Sequence, residues 1–271
     1  MTATLLETPE QRLPAIDPVE AKKQYWQDGY TILRGLYSHA EIEAYRNEVN
    51  RLWSLDGLDD DLNLRTEFRR GPDGRYTFDR LDPVLDISSG MTDAAKHPAL
   101  LSALETILDG SPEVLKCKLI RKEPGTNGYI PHQDFLYWRW LNEEPDKLCT
   151  AVINLYPSDA RSGGLGFYRG THHDLLPGPA DNPEADCDPT ALNASAIDVP
   201  ALEAGDVLVF HSLAVHFSGR NAGDVPRTVL LPSYCATNDT GLYRKYYQRE
   251  VARRCQEMVG FERYFERNGD I

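Results

Sequence analysis

The sequence predicts a mainly β protein with flanking helices, built on a β-sandwich or jelly-roll barrel. Three observations carry that reading. After Pro112, short runs of alternating apolar and polar residues follow one another between Gly, Pro and Asp turns, a spacing that suits an antiparallel barrel and not a parallel α/β sheet. Helical periodicity is confined to segments before residue 110 and after residue 242. A length of 271 residues suits one unit with a full core, so a single domain is expected over 1–271.

Taken in order, residues 1–17 hold Pro9 and Pro14 without sustained periodicity and are expected to form an extended arm. Residues 20–28 read as a helix stopped by Gly29, with a strand over 30–33. Ser38 and Glu41 form a capping box, after which Ile42, Tyr45, Val49 and Leu52 recur on one helical face. The stretch 55–86, acidic and then rich in Arg and Gly, reads as irregular surface structure. Residues 100–108 are helical again and stop at Gly110, a C-cap glycine. The barrel is expected over 112–236, with strands at 114–120, 130–135, 149–156, 165–168, 206–210, 215–218 and 228–234. One interruption, 170–200, holds Pro177, Pro179, Pro183, Pro189 and Pro200; connections this long are usually functional or disordered. A last helix is expected over 242–265, with Arg244, Lys245, Arg249, Arg253 and Arg254 forming its solvated face.

Composition narrows the function. Hydrophobic content of 41% and charged content of 26% are ordinary for a globular protein, and no apolar run is long enough to span a bilayer. A formal net charge of −13 opposes binding to a phosphate backbone, so no nucleic-acid partner is expected. The start carries no basic segment followed by an apolar one, so the expected location is cytoplasmic. Cys117, Cys149, Cys187, Cys235 and Cys255 are odd in number and scattered, without a CxxC pair. They fit neither a disulfide framework nor a structural zinc site.

The chemistry lies in His132-Gln133-Asp134, in His216 and in Arg227. Two imidazoles and a carboxylate are the ligand set of non-haem Fe(II) oxygenases, which leave positions open for cosubstrate and oxygen. On a strand over 130–135, His132 and Asp134 would point to one side and Gln133 to the other. A second HxD, His172-His173-Asp174, runs straight into the Pro-rich loop, where no strand holds two ligands in register. His211 ends an apolar strand, whereas His216 leaves a short hairpin's length before Arg227, so His216 is the favoured third ligand. Arg227 offers a rigid fork of donors for a carboxylate. The aromatic run Phe135, Tyr137, Trp138 and Trp140 is a candidate substrate wall, against the plainer reading of core.

These residues, with Tyr25-Trp26-Gln27-Asp28-Gly29-Tyr30, the Gly163-Gly164 turn before Gly170-Thr171-His172, and Gly205-Asp206 through Ser218 and Asn221 to Arg227, resemble the phytanoyl-CoA dioxygenase family of Fe(II)/2-oxoglutarate oxygenases. The resemblance implies a double-stranded β-helix (cupin-like jelly-roll) core and iron held by His132, Asp134 and His216. It also implies 2-oxoglutarate held by Arg227 with Ser218, and O2 as the second cosubstrate. Two departures stand out: Arg169 to His172 replaces a Pro-Gly-Ser-His turn, and 150–154 lacks the aromatic often found there. Lys118 and Lys122 read as strand-surface lysines.

The implied reaction is hydroxylation of an unactivated C–H bond of a small metabolite, natural-product or amino-acid-like, with release of succinate and CO2. Asp134 fills the position a halide would need, which disfavours halogenation. Two alternatives remain at this level: a cupin-like metal enzyme working without 2-oxoglutarate, and a non-catalytic metal-binding barrel.

Overall fold

The computed structural model describes residues 17–258, apart from 61–62, 71–73 and 183–185. The expected arm, save Asp17, and the end of the expected last helix, 259–265, lie outside the described residues. Helix α1 (Pro18–Asp28) starts where the Asp17 carboxylate accepts from the Val19 N–H at 3.0 Å, the standard way to satisfy an orphan amide. It ends at Gly29, whose φ is +85°. A Cβ there would also lie 2.9 Å from His172 Nδ1, so backbone and packing both require glycine. Strand β1 (Tyr30–Leu33) follows. Helix α2 (His39–Trp53) carries the expected capping box of Ser38 and Glu41 and buries Ile42, Tyr45, Val49 and Leu52.

The stretch 55–86 is not irregular surface. It contains strands β2 (Thr66–Arg70) and β3 (Tyr76–Leu81), a hairpin that pairs with the barrel. Charged residues hid its alternation, because its inward side faces polar partners. Helices α3 (Ser89–Ala95) and α4 (Pro98–Leu108) come next. The left-handed residue closing α4 is Asp109, φ 53°, one position before the expected Gly110.

Strand β4 (Pro112–Lys122), the short helix α5 (Phe135–Trp138), and strands β5 (Leu148–Asn154), β6 (Leu165–Tyr168), β7 (Ile197–Asp198), β8 (Val207–His211), β9 (His216–Ser218) and β10 (Arg227–Ala236) build the barrel, and α6 (Leu242–Met258) follows. They form a seven-stranded sheet, ordered β1-β8-β5-β10-β4-β3-β2, and a three-stranded sheet, β7-β6-β9, all pairings antiparallel. This is a double-stranded β-helix core with helices laid on one face.

Period-two alternation divides the large sheet. Cys117 and Leu119 of β4, Ala151 and Ile153 of β5, Val207 and Val209 of β8, and Leu230 and Tyr234 of β10 join one cluster with α1 to α4. Ile120, Val152, Leu208, Phe210, Val229 and Leu231 join a second, between the sheets. Both faces are covered, so these strands read as continuous apolar runs. No helix among the described residues is long and apolar enough to cross a membrane.

Helix α6 is more than a solvated face. Arg254 is 3% exposed. It donates to the Leu64 carbonyl at 2.7 Å and to Asp82 Oδ2 at 3.0 Å, and pairs with Glu67 at 3.1 Å. Asp82 also accepts from the Tyr247 hydroxyl at 2.6 Å. Arg254 of α6 and the acids Glu67 and Asp82, far apart in sequence, satisfy each other here, and breaking such a buried pair costs about 3–5 kcal/mol.

Candidate active site

His132 does not lie on a named strand. It forms an isolated antiparallel bridge with His216, each backbone N–H donating to the other's carbonyl at 3.0 Å. The chain then turns helical: Asp134, φ −58° and ψ −32°, immediately precedes α5. The two side chains share a direction because of this turn, not because of strand alternation. Trp138 drives the turn by sinking into a cluster with Leu115, Leu148, Cys235 and Leu242.

The result is a compact donor set. One atom each from His132, Asp134 and His216 lies within 4.8 Å of the others, and the two imidazole centroids are 4.2 Å apart. His132 Nδ1 donates to the Ile130 carbonyl at 2.8 Å and His216 Nδ1 to the Ala214 carbonyl at 3.0 Å. A carbonyl can only accept, so both rings carry their proton on Nδ1 and present an Nε2 lone pair to the cluster. Burial, reinforced by His132, pushes His216 down to about 3, keeping it neutral. Burial alone would raise Asp134, but His216, Lys116 and Lys118 around it hold its carboxyl well below the usual range. Thr150 Oγ1 donates to Asp134 Oδ2 at 3.1 Å and fixes the carboxylate. Two imidazoles and one oriented carboxylate suit a divalent metal ion.

Gln133 does not point to solvent. It is 2% exposed and donates to the Asp174 and Leu213 carbonyls at 2.8 and 2.6 Å, while accepting from the Leu176 N–H at 2.8 Å. The middle residue of the triplet therefore ties the start of the 170–200 segment to the site.

Below the cluster, Arg227 is 5% exposed. Its Nε is buried without a hydrogen-bond partner, and burial lowers its pKa to about 10. Ser218 Oγ accepts from Lys122 Nζ at 2.9 Å and from the Tyr129 N–H at 3.0 Å. With both acceptor positions filled, its own proton is left to donate elsewhere. Lys122 is no surface lysine: it is 2% exposed and also donates to the Gly163 and Gly219 carbonyls. Burial, then Arg227 and Arg69, push its ammonium down to about 7. Beside it Gly128 is obligatory, since a Cβ there would lie 1.7 Å from the Ser218 carbonyl oxygen.

His132, Asp134, His216, Thr150, Ser218 and Arg227 all line one cavity of ≈ 540 Å³. Of the candidate aromatics, Tyr137 and Trp140 line it. Phe135 and Trp138 do not; they pack in the cluster under α5 because the helical turn rotates them away. The sequence reading missed Thr150, Tyr129, Arg80 and Lys116, and strand alternation was the signal available for Thr150 and Lys116.

His172 and His211 lie apart from the cluster. His211 is fully buried, accepts from the Leu213 N–H at 3.0 Å, pairs with Asp146 at 3.2 Å, and packs on Tyr25 and Trp26. Burial, then His172, holds it at about 4, against the opposing pull of Asp146. That folded value lies below the ordinary 6.5, so the unfolded chain takes up the proton first. The stability this histidine confers is intact above pH 6.5 and drains away as pH falls toward 4, by on the order of 3 kcal/mol. In His211→Ala without metal, the urea midpoint should fall less steeply than the parent's over that window. Metal affinity of the variant should be unchanged; its loss would place His211 in the ligand set.

Comparison with known proteins agrees with this geometry. The sequence pattern of the phytanoyl-CoA dioxygenase (PhyH) family matches residues 25–229. The ectoine dioxygenase of Nocardia farcinica is 24% identical over 265 residues, covering 86% of this chain and 85% of its own. The peroxisomal phytanoyl-CoA dioxygenase of Mus musculus is 23% identical over 269 residues, covering 90% and 77%. Among solved structures, the epimerase SnoN in complex with Fe3+, alpha ketoglutarate and nogalamycin RO superposes with a TM-score of 0.65 at 22% identity, covering 80% of this chain and 83% of that one. The chain belongs to the phytanoyl-CoA dioxygenase family and is a non-haem Fe(II)- and 2-oxoglutarate-dependent dioxygenase acting on a small molecule.

Proposed function

We propose that the protein hydroxylates an unactivated C–H bond of a small metabolite. In this reading His132, Asp134 and His216 hold the iron, and Arg227 with the Ser218 hydroxyl takes the distal carboxylate of 2-oxoglutarate. The observation that carries it is the pairing of a convergent His/Asp/His set with a buried arginine whose Nε has no partner, in one cavity. A guanidinium buried without a hydrogen-bonded anion is costly, and a dicarboxylate reaching from the metal would supply that anion. The cupin-like and non-catalytic alternatives leave Arg227 without such a role.

Iron with 2-oxoglutarate supplies an oxidant strong enough for an unactivated C–H bond, yielding succinate and CO2. The chain's own contribution is positioning. The Nδ1 hydrogen bonds hold both imidazoles in the ligating tautomer, Thr150 aims the carboxylate, and Lys122 and the Tyr129 amide orient the Ser218 hydroxyl. Tyr137 and Trp140 wall the open side. We further read the chain as one cytoplasmic oxygenase domain without a nucleic-acid partner, on the strength of five free cysteines and the −13 net charge.

The test is a metabolite screen for succinate release with Fe(II), ascorbate and 2-oxoglutarate, followed by mass spectrometry of the oxidised compound. A mass gain of one oxygen atom per succinate is expected. A product of unchanged mass, as in an epimerisation, or lacking two hydrogens would replace hydroxylation by that chemistry.

A further inference from the structure

The cavity has a second cationic end, which the roles assigned above leave without a partner. Lys116 stands on β4 opposite Ser233 of β10. Measured along β10 from Arg227, that is about 20 Å at the rise of an extended strand. Lys116 is 8% exposed and lines the cavity. Among the described residues its ammonium makes no hydrogen bond and no ion pair within contact distance; it meets the ring faces of Trp138 and Tyr246, 5.0 and 5.8 Å away, and feels the carboxylates of Asp134 and Asp82 only from farther off. Aromatic faces offset part of the cost of burying an ammonium, but an ammonium offers three donors, and here none is used.

The wall facing it is built for the same charge. One turn along α6 from Tyr246, the Arg249 guanidinium lies 4.5 Å over the Trp140 ring, and Trp140 packs on Tyr246 with centroids 6.2 Å apart. The Trp140 ring holds the guanidinium at the cavity wall, and a guanidinium's fork of donors suits bidentate recognition of an oxyanion. The cavity lining as a whole carries seven cationic side chains against four carboxylates, in a chain of net charge −13. The acidic exterior thus surrounds a cleft that attracts anions.

This end also adjoins the reactive centre. Ser233, the strand partner of Lys116, bonds Thr150 Oγ1 at 2.9 Å, and Thr150 holds Asp134. We propose that Lys116 and Arg249 bind an anionic oxygen group of the substrate, a carboxylate or a phospho group, and so hold its reacting carbon over the His132, Asp134 and His216 cluster. The inference rests on the iron and 2-oxoglutarate reading, which already assigns the cosubstrate's distal carboxylate to the opposite end at Arg227. Lys116 and Arg249 are positioning residues for the substrate and take no part in breaking the bond.

The test loads the protein with Mn(II), saturates it with 2-oxoglutarate to fill the Arg227 end, and titrates inorganic phosphate and, separately, propionate. Calorimetry and melting temperature are the readouts. Saturable binding of at least one anion is expected, weakened by about ten-fold or more in both Lys116→Met and Arg249→Leu, while each variant binds 2-oxoglutarate as the parent does. Preference between the two anions tells a phospho group from a carboxylate. No binding to the parent, or undiminished binding to Arg249→Leu, overturns the proposal. Arg249 is exposed, so that variant decides the matter if Lys116→Met does not fold. Loss of anion and 2-oxoglutarate binding together would assign both residues to the cosubstrate and also overturn it. Should the parent not bind 2-oxoglutarate, the iron and 2-oxoglutarate reading fails, and the anion titration without cosubstrate still tests Lys116 and Arg249.

Discussion

His216→Ala is expected to abolish iron-dependent succinate formation. The imidazole is 4% exposed, its Nδ1 is committed to the Ala214 carbonyl, and its Nε2 points at the donor set. Outer partners of a metal ligand are worth about 10–100-fold in affinity or activity, so losing the ligand itself should exceed about 100-fold. His132→Ala should behave alike, because the two histidines are bridged through their backbones and a metal held by one without the other loses a facial position. The ring of His216 also packs 4.5 Å from Phe210, so alanine removes core volume as well. His216→Gln keeps most of that volume, and it should keep the parent's melting temperature without metal while losing turnover. Normal turnover in a folded His216→Gln protein would sink the metal assignment.

Arg227→Ala is expected to act on the cosubstrate and to spare the metal. Its guanidinium is nine-tenths or more buried, and its Nε is without a partner, so 2-oxoglutarate is read as its missing anion. Truncating one side of a buried, hydrogen-bonded charge pair costs about 2–5 kcal/mol, which is roughly thirty-fold to a few thousand-fold in affinity. The KM for 2-oxoglutarate should rise by that factor while the iron affinity stays within error. Ser218→Ala should give the same pattern on a smaller scale, because a neutral donor is worth about 0.5–1.5 kcal/mol. An unchanged cosubstrate requirement in Arg227→Ala would remove the arginine from its role.

The strands were legible because β4, β5, β6, β8 and β10 are short, largely apolar runs bounded by turn residues, and their observed limits fall within a few residues of those expected. The helices before them were legible through caps: Ser38 and Glu41 for α2, Gly29 for the end of α1. Residues 66–81 were not legible, because a strand whose inward partners are arginines and acids does not alternate in hydrophobicity. His132 and Asp134 were found by residue type, yet the strand reasoning offered for them was wrong; the burial of Trp138 winds the chain into a helix. Lys116 and Lys122 were hidden by the ordinary expectation that a lysine on a strand faces water. That expectation fails where a barrel encloses polar chemistry, and nothing in one sequence marks which lysines those are.

Strands β4 and β10 pair from Arg227 opposite Lys122 to Ser233 opposite Lys116, and the one register shift between them falls after Ser233. Arg227, Val229, Leu231 and Ser233 all line the cavity. Deleting a single residue between Arg227 and Ser233 would turn the part of that row beyond the deletion outward and bring its strand neighbours in. The row of side chains that lines the cavity is therefore intolerant of any change in the length of this ribbon. The distance between the two cationic ends of the cavity is fixed by the backbone repeat. In that sense the ribbon works as a gauge, setting how far apart the two cationic ends of the cavity lie.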